Sequence, residues 1–581
     1  MQGSLLKTSP PQRAHWLWLT LALLCAAGRT AVAGSGWIPL QTTAPAGIET
    51  MLLLPDGTVM AQDGGVNWYR LTPGSGGGYT NGTWTMLSPM KHSRLYFSSQ
   101  VLSNGTVFVA GAEYGTGTTN AELYHIATDS WSDVPIAAGV ITTDNVVQKD
   151  GSNNRGFIDS GSFTLPDGTV MILPVRPGTS GYTAIYNPVA NNVTQGPKLY
   201  SGGNEDEAST VKLADASILV VDSDGQTAER FIPSLNRWIP DMAPPVQLFD
   251  QYGGESGAAF LLPNGKAFFI GSTPYTAIYT PGGGTNQGTW QPGPNIPRGL
   301  GAPDAPAAMM VNGKVLCALS PTPFAQGTNI NVFTSPISFY EYDYSVGTVG
   351  AFTPVPGPND NNTNAPTYWW RMLDLPDGTV LATDHHPQLY VYKPDSGPLA
   401  AGQPNVNGVG WNADGTIHLS GTLFNGITQG AAYGDDAQMD SNYPLVRFSD
   451  GAGDVYYGTT FGWSSTGVQT GSQILTTAAN LPWPVFSGPG AYSLQVVANG
   501  NASPGVLFYG PVWVNSHYAS TPQNGAYYTP YTAVSQAVSG VVNGATVAVN
   551  ASQQPSTFHT SLTISKPMTI ISVFGPTTIG L

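Results

Sequence analysis

The residues of this chain with chemistry to offer stand at matching offsets before a turn that recurs seven times. Counting six residues back from the apolar residue that opens each turn gives Ile48, Tyr96, Asp159, Glu207, Ser256, Asp304 and Trp369; Glu255 and Tyr368 stand one position further back. If equivalent positions of a repeat face one place, three carboxylates, with Glu255 as a fourth, converge there with the rings of Tyr96, Tyr368 and Trp369. Crowded carboxylates raise one another's pKa, recruit a hard cation, or bind a polyhydroxyl ligand whose sugar faces stack on Tyr and Trp. The competing reading is a set of solvated loop charges with no common target.

The other reactive groups give weaker signals. His385-His386 lies beyond the innermost strand of the seventh repeat, and adjacent strand residues point to opposite faces. A surface or turn role is therefore expected there rather than a metal pair. His92 and His125 stand singly. Asp435-Asp436 reads as turn structure, and Asp222-Ser223-Asp224-Gly225 as a tight turn without the rest of a calcium loop. No GxSxG, P-loop or zinc-type spacing occurs.

What must position these residues is a repeat. Its copies are LLLPDGTVMAQ at 52–62, QVLSNGTVFVAG at 100–111, FTLPDGTVMILP at 163–174, VKLADASILVV at 211–221, FLLPNGKAFFIG at 260–271, AMMVNGKVLCAL at 308–319 and LDLPDGTVLAT at 373–383. The glycine of the turn falls at 57, 105, 168, 265, 313 and 378, with Ala216 in the fourth copy. Each copy is two short strands around an Asp/Asn-Gly turn, followed by an aromatic strand and then one carrying Trp and Pro. Four strands in about 48 residues, seven times over, is the arithmetic of a propeller. SGWIPLQ at 35–41 supplies the fourth strand that the seventh blade lacks, which closes the ring and removes its open edge.

Length and composition agree. A chain of 581 residues exceeds one ordinary core, and 71 glycines and 48 prolines break its apolar runs into strand lengths. The N-terminus reads as a signal peptide over 1–33, with Lys7 and Arg13 before the apolar run Trp16 to Ala27 and Ala31-Val32-Ala33 as cleavage site. Its removal takes Lys7, Arg13 and Arg29, moving the net charge from -15 to -15 - 3 = -18. That sign argues against nucleic acid and anionic membranes, and no apolar run is long enough to span a bilayer. The mature chain keeps only Cys317, so no intramolecular disulfide forms. A secreted or cell-surface protein of bacterial origin is expected. No feature specifies an oligomer.

The expected fold is all-β: a seven-bladed kelch-like β-propeller over 34–402, an immunoglobulin-like β-sandwich over 403–515, and a tail over 516–581. In the tail, Val534, Ala537, Val538, Val541 and Val542 mark a short amphipathic helix before TVAVNA, SLTISK and MTIISV. That order resembles the capping helix and first coils of a parallel β-helix of the pectate-lyase type, a stub of two or three coils.

The segments Arg94 to Ser99 and Tyr368-Trp369-Trp370, with QGAAYGDDAQMDSNYPLVR at 429–447, resemble the galactose oxidase and glyoxal oxidase family over roughly 35–515. The resemblance implies copper held by two Tyr and two His, one Tyr cross-linked to a Cys. Tyr96 and Tyr368 match the two tyrosines. The Cys position falls at Ile48, one His at Trp369, and the His that reaches the propeller axis at Phe461. Oxidase activity is therefore not carried over, and no cofactor is expected, copper included. The leading reading is a secreted glycan-binding or surface-interaction protein that takes a polysaccharide or cell-surface glycan. Its rivals are a copper-radical or other carbohydrate-active oxidase with a rebuilt site, and a purely structural spacer.

Overall fold

The computed structural model describes residues 36–580 apart from 142–145, 148–152, 155, 159, 174–180, 203–207, 223–225, 253, 328, 359–363 and 434–441. Asp159, Glu207, Asp435-Asp436, residues 223–225 of the Asp222 turn and the signal-peptide segment lie outside the described residues.

Each repeat folds as a four-stranded antiparallel sheet, and there are seven such blades. The turns explain why. In every copy an Asp or Asn side chain accepts the N–H two residues on, as Asp56 does from Thr58 (3.1 Å) and Asp377 from Thr379 (3.1 Å). The residue between them takes a left-handed φ, from 74° at Gly57 to 85° at Gly378, and Ala216 is held at 65° without a glycine's freedom. The alternating strands then bury apolar side chains between neighbouring blades, as with Phe268 stacked on Tyr342 at 3.8 Å and Phe108 on Tyr186 at 4.2 Å. Closure is as expected: Gly36–Pro39 pairs antiparallel with Tyr390–Lys393 and completes blade seven.

The region after 402 forms one eight-stranded antiparallel sheet that curls on itself, rather than two separate sheets. The strand Val455–Phe461 makes the bend. Up to Gly458 it pairs with Leu445–Ser449, and from Thr459 with Leu475–Asn480, so its two ends belong to opposing walls. Phe448, Val446, Leu494, Leu419 and Phe424 fill the space between them.

Two strands lie across the expected boundaries. Ala431–Tyr433 leaves the curled sheet and pairs with Pro306–Met309, becoming a fifth, innermost strand of blade six. Val512–Val514 pairs in parallel with Thr546–Asn550, which pairs in parallel with Thr569–Val573, so the last strand before 515 belongs to the tail. The helix Val534–Gly540 packs Val534, Ala537 and Val538 onto that three-stranded sheet. No helix of the described residues is long and apolar enough to cross a membrane.

Candidate functional site

The inner strands are tied to one another all the way round. Gln62 Nε2 donates to the Arg94 carbonyl (2.8 Å), the Ser98 hydroxyl to the Ser160 carbonyl, and Lys212 Nζ to Thr164 Oγ1 (3.3 Å). The Ser209 hydroxyl meets Ser256 Oγ (2.8 Å), and the Asp304 N–H donates to the Ser256 carbonyl (3.2 Å). Thr367 Oγ1 then donates to the Pro303 carbonyl (2.6 Å) and Thr383 Oγ1 to the Ile48 carbonyl (3.3 Å), which returns the circuit to blade one.

The turn end of this ring is covered by the curled sheet. Gly462 N–H donates to Ser103 O (2.7 Å), Thr466 Oγ1 to Leu165 O (2.9 Å), and Gln469 Nε2 to Leu262 O (2.7 Å). The Tyr443 hydroxyl reaches Leu53 O, and Lys212 Nζ donates to Thr466 O (3.1 Å). The segments that enter the innermost strands, where the repeat count places its candidates, lie at the opposite end.

There, blades seven, one and two bring a compact group together. Thr367–Trp369 is a single 3-10 turn before the strand Arg371–Asp374. Arg371, fully buried, donates from Nη1 to the carbonyls of Tyr368 (2.6 Å) and Trp370 (2.9 Å). Its guanidinium lies over the Tyr96 ring at 5.5 Å, and its Nη2 is 3.6 Å from Glu49 Oε2. Glu49, also buried, pairs through its other oxygen with His385 Nδ1. The His385 ring packs on Trp369 (5.5 Å, 31°), and Trp369 is 37% exposed. Tyr114 stands edge-on to Tyr96 at 6.2 Å, and Phe333 edge-on to Tyr368 at 5.2 Å.

The sequence count therefore finds Tyr96, Tyr368 and Trp369 but misses Glu49, Arg371 and His385. In blade one the counted residue, Ile48, is wholly buried in the core, and the next residue, Glu49, takes the site position. His385 is a surface residue in a bend, its side chain 49% exposed, as expected, but it also makes specific contacts. Its backbone is left-handed (φ 69°), which turns its ring back over Trp369, and Gly47 is pressed so close to its carbonyl that a Cβ has no room. Burial, with His386 beside it, lowers the His385 pKa. With Nδ1 committed to Glu49, Nε2 is the atom left to accept or donate a proton.

Glu255 and Asp304 occupy the neighbouring arc. Glu255 is buried, and its N–H and carbonyl close a loop with Asp250, at 3.2 Å to Asp250 Oδ2 and 3.0 Å from the Asp250 N–H. Asp304 is half-buried with a φ of 47°. Their blades join the group through Pro303 and Thr367.

The copper ligand set that the resemblance implies does not fit these residues. Ile48 offers no thiol, Trp369 no imidazole lone pair, and Cys317 is buried within the core of blade six. Phe461 has no imidazole to offer. It lies in the curled sheet opposite Ala478, and its neighbours Thr460 and Gly462 donate to Pro55 and Ser103 at the turn end. The innermost strand of blade six is Ala431–Tyr433, beside Pro306–Met309, and no histidine occurs from there to Phe461.

No protein family matches the chain, and no curated protein matches it. Among solved structures it is similar to a fungal alcohol oxidase of the AA5 family in complex with copper, at 14% identity and TM-score 0.44 over 82% of this chain and 99% of that one. Virginiamycin B lyase from Staphylococcus aureus follows at 9% and 0.39, over 62% and 99%, and YCF48 from Cyanidioschyzon merolae at 12% and 0.40, over 62% and 99%. At these identities and scores the likenesses carry no argument about activity.

Proposed function

We propose that this chain is a secreted protein that binds a glycan, a polysaccharide or cell-surface glycan, at the mouth formed by blades seven, one and two, and that it performs no copper-radical oxidation. The observation that carries the reading is the Trp369 ring, part-exposed and immobilised on a histidine that is itself anchored by a buried carboxylate. A flat apolar face held rigid beside one free imidazole nitrogen suits a sugar ring, whose C–H face stacks while a hydroxyl hydrogen-bonds. Arg371 is committed to Glu49, to two carbonyls and to the Tyr96 face, so among the described residues of blades seven, one and two its guanidinium is not turned to an anionic ligand.

The test is a glycan-array screen with metal content measured on the same sample. Binding that Trp369→Ala abolishes in metal-free protein supports the reading. Stoichiometric copper, with peroxide released from galactose or glyoxal and lost on Tyr96→Phe, would replace it with an oxidase whose site has been rebuilt.

A further inference from the structure

Between Asp454 and Lys566 the chain contains no Asp, Glu, Lys or Arg. That stretch covers half of the curled sheet, the strap that follows Val512–Val514 and the helix Val534–Gly540. What it exposes instead are aromatic rings. Trp483 opens the short helix Trp483–Phe486 and is 47% exposed, and Tyr528 is 72% exposed. Their ring centroids are 5.3 Å apart, inclined at 47°.

These rings are built in from behind. Trp483 stands edge-on to Tyr527 (5.5 Å, 78°), and Tyr527 edge-on to Trp513 (5.0 Å, 89°). Trp513 is fully buried and donates its indole N–H to the Phe486 carbonyl at 2.8 Å. The strap itself is pinned: the Tyr527 N–H donates to Ser487 O (2.7 Å), and Asn524 Oδ1 accepts from the Ala526 N–H (3.1 Å) and the Thr529 hydroxyl (2.5 Å). Little side-chain entropy therefore remains to be lost when a ligand covers Trp483 and Tyr528.

We propose that the Trp483–Tyr528 face is a second binding site, specific for a neutral polysaccharide. Adjacent exposed rings mark a contact surface rather than ordinary scattered surface apolarity. No formal charge occurs along this part of the chain, and two that approach the helix Trp483–Phe486 from other segments are acidic: Asp414 precedes Gly415, which packs against Phe486, and Asp450 lies beside Tyr492, whose hydroxyl donates to the Pro484 carbonyl. Nucleic acid and anionic glycans are disfavoured there. A neutral glucan or chitin-type chain needs no charge: its ring faces stack on aromatic planes, and its hydroxyls meet neutral amides such as Gln523 and Asn524. The site is independent of the propeller mouth and of the function proposed for it.

Affinity electrophoresis of the full chain through hydroxyethyl cellulose, glycol chitin and polygalacturonate, with pull-down on cellulose and chitin, decides the matter. Retardation by at least one neutral polymer is expected, unchanged by 0.5 M salt as an uncharged contact requires, with none by polygalacturonate. Trp483→Ala with Tyr528→Ala should weaken it about tenfold, the loss of two stacking contacts, whereas Trp483→Phe with Tyr528→Phe should retain it and Trp369→Ala should leave it untouched. Unchanged melting of the alanine variant confirms that it is folded. The proposal is overturned by no retardation in any neutral polymer, by equal retardation of the alanine variant, by retardation that Trp369→Ala abolishes, or by a wild-type dimer that the alanine variant dissolves.

Discussion

Lys212 carries the most exacting test of how the curled sheet closes the turn end of the ring. It ends the innermost strand of blade four, fully buried under the curled sheet, and its ammonium meets only Thr164 Oγ1 (3.3 Å) and Thr466 O (3.1 Å), with no carboxylate in ion-pair range among the described residues. Burial pushes its pKa down from 10.5 to about 8. The unfolded chain then holds the proton more tightly than the folded one, so stability rises with pH between those two values. The full penalty on the charged form is about 3 kcal/mol. Between pH 7.5 and 9.5 wild type should gain about 2 kcal/mol relative to Lys212→Met, which has nothing to titrate there. Guanidinium unfolding of both proteins at several pH values measures this, and taking the difference cancels the titration of the buried tyrosines they share. At pH 7.5 the variant should be no less stable than wild type, because it sheds a desolvated charge as it loses two hydrogen bonds. A difference between the two proteins that stays constant with pH would refute the reasoning, since it would mean that the ammonium is solvated or paired.

Other outcomes follow from single contacts. Ala216→Gly should stabilise by about 0.5–1 kcal/mol in chemical denaturation, because relief of a left-handed alanine, about 1–2 kcal/mol, exceeds the extra freedom of the unfolded glycine; Gly168→Ala at the equivalent turn should lose a similar amount. Trp513→Ala should cost about 3–5 kcal/mol and free the tail for limited proteolysis, and a chain cut after Asn515 should lose solubility, because Val512–Val514 is then stripped of its parallel partner. His385, with its lowered pKa, should make stability fall as pH drops through about 6.5, where the unfolded state takes the proton first; His385→Gln should flatten that slope.

The propeller was legible because one local interaction repeats. An Asp or Asn side chain bonded two residues on, followed by a left-handed residue, leaves the same letters in each blade. The eighth instance, Asp414-Gly415-Thr416 in the curled sheet, makes the same bonds (3.0 and 2.7 Å) without belonging to a blade. The turn therefore reports a hairpin, and only its period reports a propeller. The strands that cross boundaries left no such mark. Ala431–Tyr433 joins blade six through backbone pairing alone, and Val512–Val514 reads as one more alternating strand whichever sheet receives it.

The candidate site was half legible for a related reason. A fixed offset finds residues whose backbone follows the average blade, and Tyr96 and Trp369 do. Glu49 is one residue out of step because Ile48 is drawn into the core. His385 comes from the far end of the second strand and returns only through its left-handed φ. These two residues change what the mouth can do. Of the expected ring of carboxylates, Asp159 and Glu207 lie outside the described residues. In blade one the carboxylate is Glu49, buried and shared between Arg371 and His385, so its charge is answered inside the protein. What faces outward in this group is the Trp369 ring and the far nitrogen of His385, the two features on which the proposed binding of a neutral hydroxylated ligand rests.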